Sequence, residues 1–393
     1  MLNGDPSRML LLGPALWRTG EGWTGQQPLL VAELPSDIIG HANTTLLAFH
    51  ELGNLPLHLI RGNTATTGPV CPPPLFTPTL RPNETWSDLA ADTWPGQLPM
   101  PLVLLTRHQE SVTAHGLVRF AGDSALFLRL GSVEETNTDL PHLFTRALDL
   151  AGQSRAGANN HQCCLHDLHP GIELEHKLTL HTPIDLHGFI VDLREHIGDA
   201  PDWTWEFRDD WQLWDFDNHL YDIPSPIDEA GYVSFIPDSA GTTIVKRKWF
   251  HEDHPRRREQ RWRGIELEPE GHAEYLINHL GLNATHLGSF RRTRFDTTAE
   301  NRATGNVYGI MADWCRPHHL HAASNQLRQI EIEYLHTRTL HPAAPTPTAA
   351  VESELHELVQ LTRDYLERRT VPYTAPGESK RTWLRALTSG AHA

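Results

Sequence analysis

The 393-residue chain has few cysteines, no long apolar stretch and no excess of basic residues. Its four cysteines form no CxxC pair and no disulfide framework, which favours a reducing compartment such as the cytoplasm. No run of about 18 apolar residues is present, so the sequence predicts no transmembrane helix. The 33 basic and 49 acidic side chains give a net charge of −16, which argues against duplex nucleic acid as a partner. We therefore expect a cytoplasmic protein that binds neither a membrane nor a nucleic-acid duplex.

Residues 1–155 predict a separate N-terminal domain, either β-rich or α/β. Short apolar runs such as "PLLVAEL" and "MPLVLLT" are typical of buried strands, and "TDLPHLFTRALDLAG" is typical of a helix. This part contains no Gly-rich phosphate loop, no GxSxG motif and no metal motif, so its role does not follow from the sequence. The small polar stretch at 152–160 predicts a linker.

The next part of the chain, residues 160–370, contains strand-like segments with one charged face. In "GIELEHKLTL", Glu173, Glu175 and Lys177 alternate with apolar residues, which is the period-two pattern of a β-strand. In an open sheet these charges would face water. In a closed barrel covered by helices they would point inward and form a binding site. This stretch alone leaves both arrangements open.

Three later segments, "TTIVKRKWF", "SFRRTRF" and "QIEIEYL", repeat the pattern. Their charged faces carry Lys246, Lys248, Arg292, Arg294, Glu331 and Glu333. A shift of one residue in register would turn Arg247 or Arg291 to that face instead. Buried charges need partners, and a lumen with both signs would need ligands of both signs. A divalent cation together with a polyphosphate would satisfy that requirement.

The order of these segments resembles that of the CYTH superfamily, the triphosphate tunnel metalloenzymes, over roughly residues 168–370. The first segment looks like the family's ExExK signature. "NHLYDIPSP" looks like its Tyr-Asp-Thr-Pro segment at Tyr221 and Asp222, and "IMADW" looks like its acid-bearing strand at Asp313. The resemblance implies an α+β fold with an eight-stranded antiparallel β-tunnel, flanked by helices and preceded by the separate N-terminal domain.

The resemblance also implies a function and a set of site residues. The activity would be metal-dependent hydrolysis or phosphotransfer with Mg²⁺ or Mn²⁺, acting on inorganic triphosphate, a nucleoside triphosphate or a similar small molecule. A homodimer is one of the assemblies that the sequence leaves open. The implied metal ligands are Glu173, Glu175, Glu331 and Glu333. The implied catalytic residues, which would contact phosphate or assist the metal, are Lys177, Lys246, Lys248, Arg292, Arg294 and Asp313.

One segment departs from the family pattern. Residues 231–241, "GYVSFIPDSAG", contain no basic residue, although the family usually has an arginine strand there. This departure keeps two alternatives open, a nucleotide cyclase reaction in the same tunnel and a non-catalytic polyphosphate- or nucleotide-binding module. The basic run "HPRRREQRWRG", at 254–264, is interpreted as a solvated hairpin loop; the alternative is a lid that supplies the missing arginine. Residues 371–393 are expected to form a C-terminal tail.

Overall fold

The structure, a computed structural model, covers most of the chain. The residues that it describes are 8–19, 27–34, 44–48, 57–61, 64–68, 99–108, 111–121, 124–134, 140–154, 164–205, 212–250, 253–318, 325–340 and 347–389. The chain divides into two compact units. The first unit consists of Met1–His166, Arg302–Gly305 and Thr337–Pro345, and the second of Asp167–Asn301, Asn306–His336 and Thr346–Ala393. Of the linker predicted at 152–160, residues 152 and 153 instead belong to the helix Leu140–Gln153. Residues 155–160 lie outside the described residues, and the boundaries at 155, 160 and 370 stay predictions.

The first unit is built on an antiparallel sheet of eight strands. The strands are β1 (Arg8–Gly13), β2 (Leu29–Glu33), β3 (Thr44–Ala48), β4 (Leu57–Arg61), β5 (Thr64–Gly68), β6 (Met100–His108), β7 (Ser111–Ala121) and β8 (Ser124–Glu134), in the order β3-β8-β7-β6-β1-β2-β4-β5. One helix, α1 (Leu140–Gln153), buries Phe144, Ala147, Leu148 and Ala151. This spacing is that of a helix with one apolar face on a core. The unit is therefore β-rich, as one of the two predicted alternatives states.

The remaining elements follow in chain order. The strands are β9 (Leu165–His166), β10 (Ile172–Leu180), β11 (Trp203–Trp205), β12 (Gln212–Ile223), β13 (Gly231–Pro237), β14 (Thr243–Trp249), β15 (Arg256–Ile265), β16 (Thr285–Asn301), β17 (Asn306–Pro317), β18 (Leu327–Arg338) and β19 (Tyr373–Thr374). The helices are α2 (Leu186–Gly198), α3 (His272–Asn278), α4 (Thr348–Arg368) and α5 (Lys380–Thr388). No helix within the described ranges has the length and apolar character needed to span a membrane.

Eight strands of the second unit close into a ring. The order is β10-β15-β14-β13-β12-β16-β17-β18, and β18 pairs again with β10. The pairings given for these strands are antiparallel. The predicted α+β fold with an eight-stranded antiparallel tunnel is thus confirmed.

Helices cover part of the outside of this barrel and decide which way its charges face. The outward residues of β10 and β18, such as Leu174, Leu178 and Ile330, are buried in a core with α2 and α4. From α4 that core receives Val351, Leu355, Leu358 and Tyr365. Because alternate residues of a strand point to opposite faces, the charged residues between these leucines and isoleucines point into the lumen.

The basic run at 254–264 was expected to form a solvated loop, and that expectation is wrong. Residues 256–265 form β15, which pairs with β14 and β10 and closes the ring. Both faces of β15 carry charged residues. Its sequence therefore lacks the apolar face by which most strands are recognised. The described part of the expected tail also has regular structure, since it contains β19 and α5 and is grouped with the second unit.

Candidate functional site

The lumen of the barrel collects charged side chains from six of the eight strands of the ring and from α5. The acidic residues are Glu173, Glu175, Glu259, Asp313, Glu331 and Glu333. The basic residues are Lys177, Lys246, Lys248, Arg257, Arg261, Arg292, Arg294 and Lys380. All ten residues that the sequence singles out as metal ligands or catalytic groups lie in this set. The structure brings them together, and their individual roles stay predictions.

Strand register explains why these residues meet. Across the β10–β18 pair, Glu175 lies opposite Glu333 and Lys177 lies opposite Glu331. Across the β10–β15 pair, Glu173 lies opposite Arg257. Paired residues of antiparallel strands share a face and lie a few ångströms apart. The alternation in each strand therefore becomes a continuous charged surface around the lumen.

Three carboxylates form a cluster that fits a divalent cation, and we call Glu173, Glu175 and Glu333 the acidic triad. Each offers one oxygen, and these oxygens lie within 4.8 Å of one another. Burial raises the pKa of Glu333 to about 7, and the negative charges of Glu173 and Glu259 add to this effect. Hard cations such as Mg²⁺ and Mn²⁺ prefer carboxylate oxygens. Arg261 forms an ion pair with Glu333 at 3.0 Å, but it does not bring this pKa back to its usual range. The donor set and the raised pKa of Glu333 both suit such an ion.

Glu331, the fourth predicted ligand, is not part of the acidic triad. Its carboxylate makes ion pairs with Arg294 and Lys380, accepts a hydrogen bond from Arg292 at 2.6 Å and lies 3.5 Å from the ammonium of Lys177. Burial alone would raise the pKa of Glu331, but Lys380, Lys177 and Arg292 outweigh it and hold the pKa well below its usual range. Cations of the chain itself already neutralise this carboxylate.

Asp313 lies among the same cations and has no exposed surface. Its carboxylate accepts hydrogen bonds from Arg294 at 2.7 Å and from Lys380 at 2.9 Å, and it pairs with Arg292. One carboxylate thus fixes three cationic side chains. This position fits a residue that orients the basic groups of the lumen.

The basic strands take the predicted register. On β14, Lys246 and Lys248 point into the lumen, whereas Arg247 pairs with Glu229 and lies 4.3 Å from the centre of the Trp249 ring. On β16, Arg292 and Arg294 point inward. Arg291 instead binds Asp215 at 2.8 Å and Asp217 at 3.1 Å on the outside.

Lys246 differs from the other lumen cations. Lys248 pairs with Glu173 and lies 3.2 Å from Glu259, but the ammonium of Lys246 makes no ion pair or hydrogen bond with any residue in the described ranges. Burial lowers the pKa of Lys246, and the carboxylates of Glu259 and Glu333, which are not in direct contact with it, oppose this effect only in part. An ammonium held inside the barrel without a direct ion pair is a position that a negatively charged ligand would stabilise.

Sequence reasoning did not single out Arg257 as a residue of the lumen. On β13, the lumen-facing Ser234 donates a 2.6 Å hydrogen bond to Asn218, so this strand supplies no charge. Two strands further round the ring, β15 supplies Arg257, which pairs with Glu175 and lies 3.2 Å from Glu173. The period-two spacing of Arg257, Glu259 and Arg261 is the sequence pattern that could have predicted a strand with these residues on one face.

Lys380 enters the lumen from α5 and was also not predicted. Its ammonium donates to Gln329 at 3.1 Å as well as to Asp313 and Glu331. The carboxylate of Asp222 holds α5 in place by accepting from Arg381 at 2.6 Å. Both residues of the predicted Tyr-Asp segment therefore have structural contacts. Asp222 anchors α5, and Tyr221 packs against Phe235 with ring centroids 5.4 Å apart.

Two cavities show how the lumen can be reached. The inner cavity has a volume of about 40 Å³ and is lined by the basic residues and by Glu175, Glu331 and Glu333. A larger cavity of about 260 Å³ lies against the start of β10 and the end of β18, and Glu173, Glu259 and Glu333 line it. Two members of the acidic triad, Glu173 and Glu333, are thus accessible from this mouth, and Glu175 lines the inner cavity.

No family model matches the chain, and no curated protein matches it. Solved structures that resemble it include HpAC1 from Hippeastrum, described as a putative adenylyl cyclase with a dominant triphosphatase activity. It matches at 16% identity and a TM-score of 0.31, covering 56% of this chain and 96% of that one. A conserved hypothetical protein from Pyrococcus furiosus matches at 11% identity and a TM-score of 0.28, covering 48% of this chain and 90% of that one. The di-domain ARO/CYC StfQ of the steffimycin biosynthetic pathway matches at 8% identity and a TM-score of 0.18, covering 84% of this chain and 90% of that one. At these TM-scores, none of the three likenesses supports an argument about this chain.

Proposed function

We propose that the second unit is a metal-dependent enzyme that hydrolyses a triphosphate-containing small molecule or transfers a phosphoryl group from it. The observation that carries this proposal is the unpaired ammonium of Lys246 in the same closed lumen as the acidic triad. One feature is complementary to an anion and the other to a divalent cation. A metal–polyphosphate complex has both charges in one ligand.

The charge balance of the lumen supports a polyanion. Eight basic residues face seven acidic ones in the lumen and its mouth, where Asp167 is the seventh acid. This leaves one positive charge in excess when all are ionised. A bound divalent cation adds two more. A triphosphate carries a comparable negative charge, and the basic groups offer it charge-assisted hydrogen bonds.

The residues of the acidic triad would hold the metal ion, either Mg²⁺ or Mn²⁺. When bound, such an ion supplies charge that offsets the negative charge of phosphate oxygens in the transition state. Glu331 lies apart from the triad, and we assign it to holding Lys177, Arg292 and Lys380 in position rather than to the metal itself.

The basic residues would bind the phosphate oxygens. Lys246 is available without rearrangement, whereas Lys177 and Lys248 would exchange the carboxylates of Glu175 and Glu173 for phosphate oxygens. Arg292 and Arg294 are already fixed by Asp313. Donors fixed in advance near the developing charge lower the barrier because they need not reorganise during the reaction.

One assay tests this proposal. The protein is incubated with inorganic triphosphate, ATP or thiamine triphosphate, in Mg²⁺, Mn²⁺ or chelator, while phosphate, pyrophosphate and cyclic nucleotide are followed separately. Metal-dependent release of phosphate is the expected result. Cyclic nucleotide with pyrophosphate would show a cyclase instead. A rise in melting temperature without turnover would show a binding module, and neither signal with any compound would overturn the proposal.

A further inference from the structure

Two aromatic side chains lie on the lumen face of β12, level with two of the lumen arginines. Trp214 is the register partner of Arg294, and Phe216 is the register partner of Arg292. Asn218 lies two residues further along the same strand face and lines the inner cavity. Because paired residues and residues two apart share a face, Trp214 and Phe216 belong to the same wall as the arginines that we assign to phosphate binding.

These two residues lie at the mouth of the barrel. The neighbouring strand β13 pairs with β12 only from His219 to Ile223 and ends at Pro237, so Trp214 and Phe216 extend past its end. Trp214 is 41% exposed. The Trp214 ring is therefore not part of a hydrophobic core.

The mouth with the aromatic pair is also the mouth with the acidic triad. In the ring, β12 is the fourth strand from β10 in either direction. Strands four apart in an antiparallel ring run in the same direction, so the N-terminal ends of β10 and β12 lie at the same end of the barrel. Glu173 lies near that end of β10, and the aromatic pair lies on the opposite wall. Arg292 and Arg294, on β16 beside β12, carry positive charge into the space between them.

A side-chain hydrogen bond orients the indole ring of Trp214 without a ligand. Its N–H donates a 3.0 Å hydrogen bond to Asp296, which lies two residues beyond Arg294 on β16. The guanidinium of Arg292 lies 6.0 Å from the centre of the Phe216 ring. An aromatic surface beside cationic groups suits a ligand with a flat ring joined to phosphates.

We propose that Trp214 and Phe216 stack against an aromatic ring of the substrate, which is therefore an organic triphosphate of the nucleoside triphosphate type rather than inorganic triphosphate. This inference rests on the proposed function of the same lumen. The terminal phosphate would lie toward the acidic triad, the remaining phosphates between the arginines and Lys246, and the ring at the mouth. Base–aromatic stacking changes affinity by roughly 5- to 150-fold per base.

The test compares kcat/KM for ATP and for inorganic triphosphate in Mn²⁺. In Trp214→Ala we expect kcat/KM for ATP to fall at least fivefold, while the value for inorganic triphosphate changes less than twofold. Trp214→Phe, which keeps a ring, should retain most of the activity on ATP. Trp214→Leu keeps an apolar side chain without a ring and should behave like Trp214→Ala, so it separates loss of stacking from loss of packing.

The matched control is Leu213→Ala. Leu213 is 60% exposed, adjoins Trp214 and faces the other side of β12, so this change should alter neither activity. The inference is overturned if Trp214→Ala leaves kcat/KM for ATP within twofold, or lowers it for both compounds equally. Failure of the wild-type protein to bind or turn over any triphosphate would instead overturn the proposed function itself. The two failures are therefore distinguishable.

Discussion

Glu175 and Glu333 lie directly opposite each other on the β10–β18 pair, and both point into the lumen. Like charges in this arrangement destabilise a sheet, so the pair needs compensation. Glu175 receives it from Lys177 and Arg257, whereas Glu333 has a 3.0 Å ion pair with Arg261 at the mouth. A cation bound between the two carboxylates would remove the remaining repulsion, which is why we place the metal there.

Replacement of Glu175 by Gln should weaken Mn²⁺ binding by at least about 100-fold. Loss of groups that only support a metal ligand already costs 10–100-fold in affinity, and Glu175→Gln removes a ligand and its charge. Isothermal titration calorimetry with Mn²⁺ measures the change. Glu229→Gln is the control because Glu229 pairs with Arg247 outside the lumen. Equal Mn²⁺ affinity in Glu175→Gln and wild type would contradict the assignment.

Mn²⁺ binding should tighten as pH rises through about 7. The raised pKa of Glu333, about 7, means that a proton competes with the metal below this pH, so the affinity should fall by about tenfold per pH unit there. Titrations between pH 5.5 and 8.5 check the slope. A metal affinity that does not vary across this range would exclude Glu333 as a ligand.

The raised pKa of Glu333 also predicts how the stability of the metal-free protein depends on pH. Because the pKa of Glu333 is raised in the folded state, the stability that it contributes is complete below the unfolded value of 4.5 and is lost as pH rises through about 7. In chelator, Glu333→Gln should therefore lose less melting temperature than the wild type between pH 5 and 8. Parallel curves for the two proteins would disprove this contribution.

Arg257→Gln should lower kcat/KM for a triphosphate by about 100-fold or more, since removal of one fixed donor at a developing charge costs about 10²–10³-fold. Arg258→Gln is a matched control from the next position. Arg258 points outward, and its guanidinium lies 4.3 Å from the centre of the Trp249 ring, so its loss should change kcat/KM less than twofold. Equal effects of the two changes would show that β15 does not supply the missing arginine.

Lys380→Met should lower the free energy of unfolding by about 3–5 kcal/mol, as expected when one partner of a buried ion pair is removed. Asp313 and Glu331 would keep only their arginine and Lys177 contacts. Arg385→Gln, at the exposed end of the same helix, should cost at most about 1 kcal/mol. Urea denaturation of both variants measures the difference, and similar losses would mean that Lys380 is not an anchor of the lumen.

Period-two alternation of charged residues predicted four of the eight strands of the barrel. It identified β10, β14, β16 and β18 and the inward residues of each. The outer faces of β10 and β18 are apolar, whereas those of β14 and β16 also carry Arg247 and Arg291. The same rule failed for β15, where Arg256 and Arg258 occupy the outer face and no apolar pattern distinguishes a strand from a solvated loop. Trp249 packs against that outer face, and only the fold brings it there.

The sequence pattern did not predict where individual side chains lie within the lumen. Lys380 lies on a short helix, so no periodicity marks its ammonium as a lumen group. The two acids of the late Glu-x-Glu strand look equivalent in the sequence, yet Glu333 joins the acidic triad and Glu331 joins the cations. This difference arises from the strand register and from the packing of α5, which are properties of the folded chain.

Calorimetric titration of inorganic triphosphate in the presence of Mn²⁺, with wild-type protein and with Lys246→Met, tests most directly whether the lumen binds a metal–polyphosphate complex. We expect the wild type to bind in Mn²⁺ and to lose most of this binding in chelator, and we expect Lys246→Met to bind at least tenfold more weakly. Absence of binding to the wild type, or equal affinity of the two proteins, would contradict the proposed site.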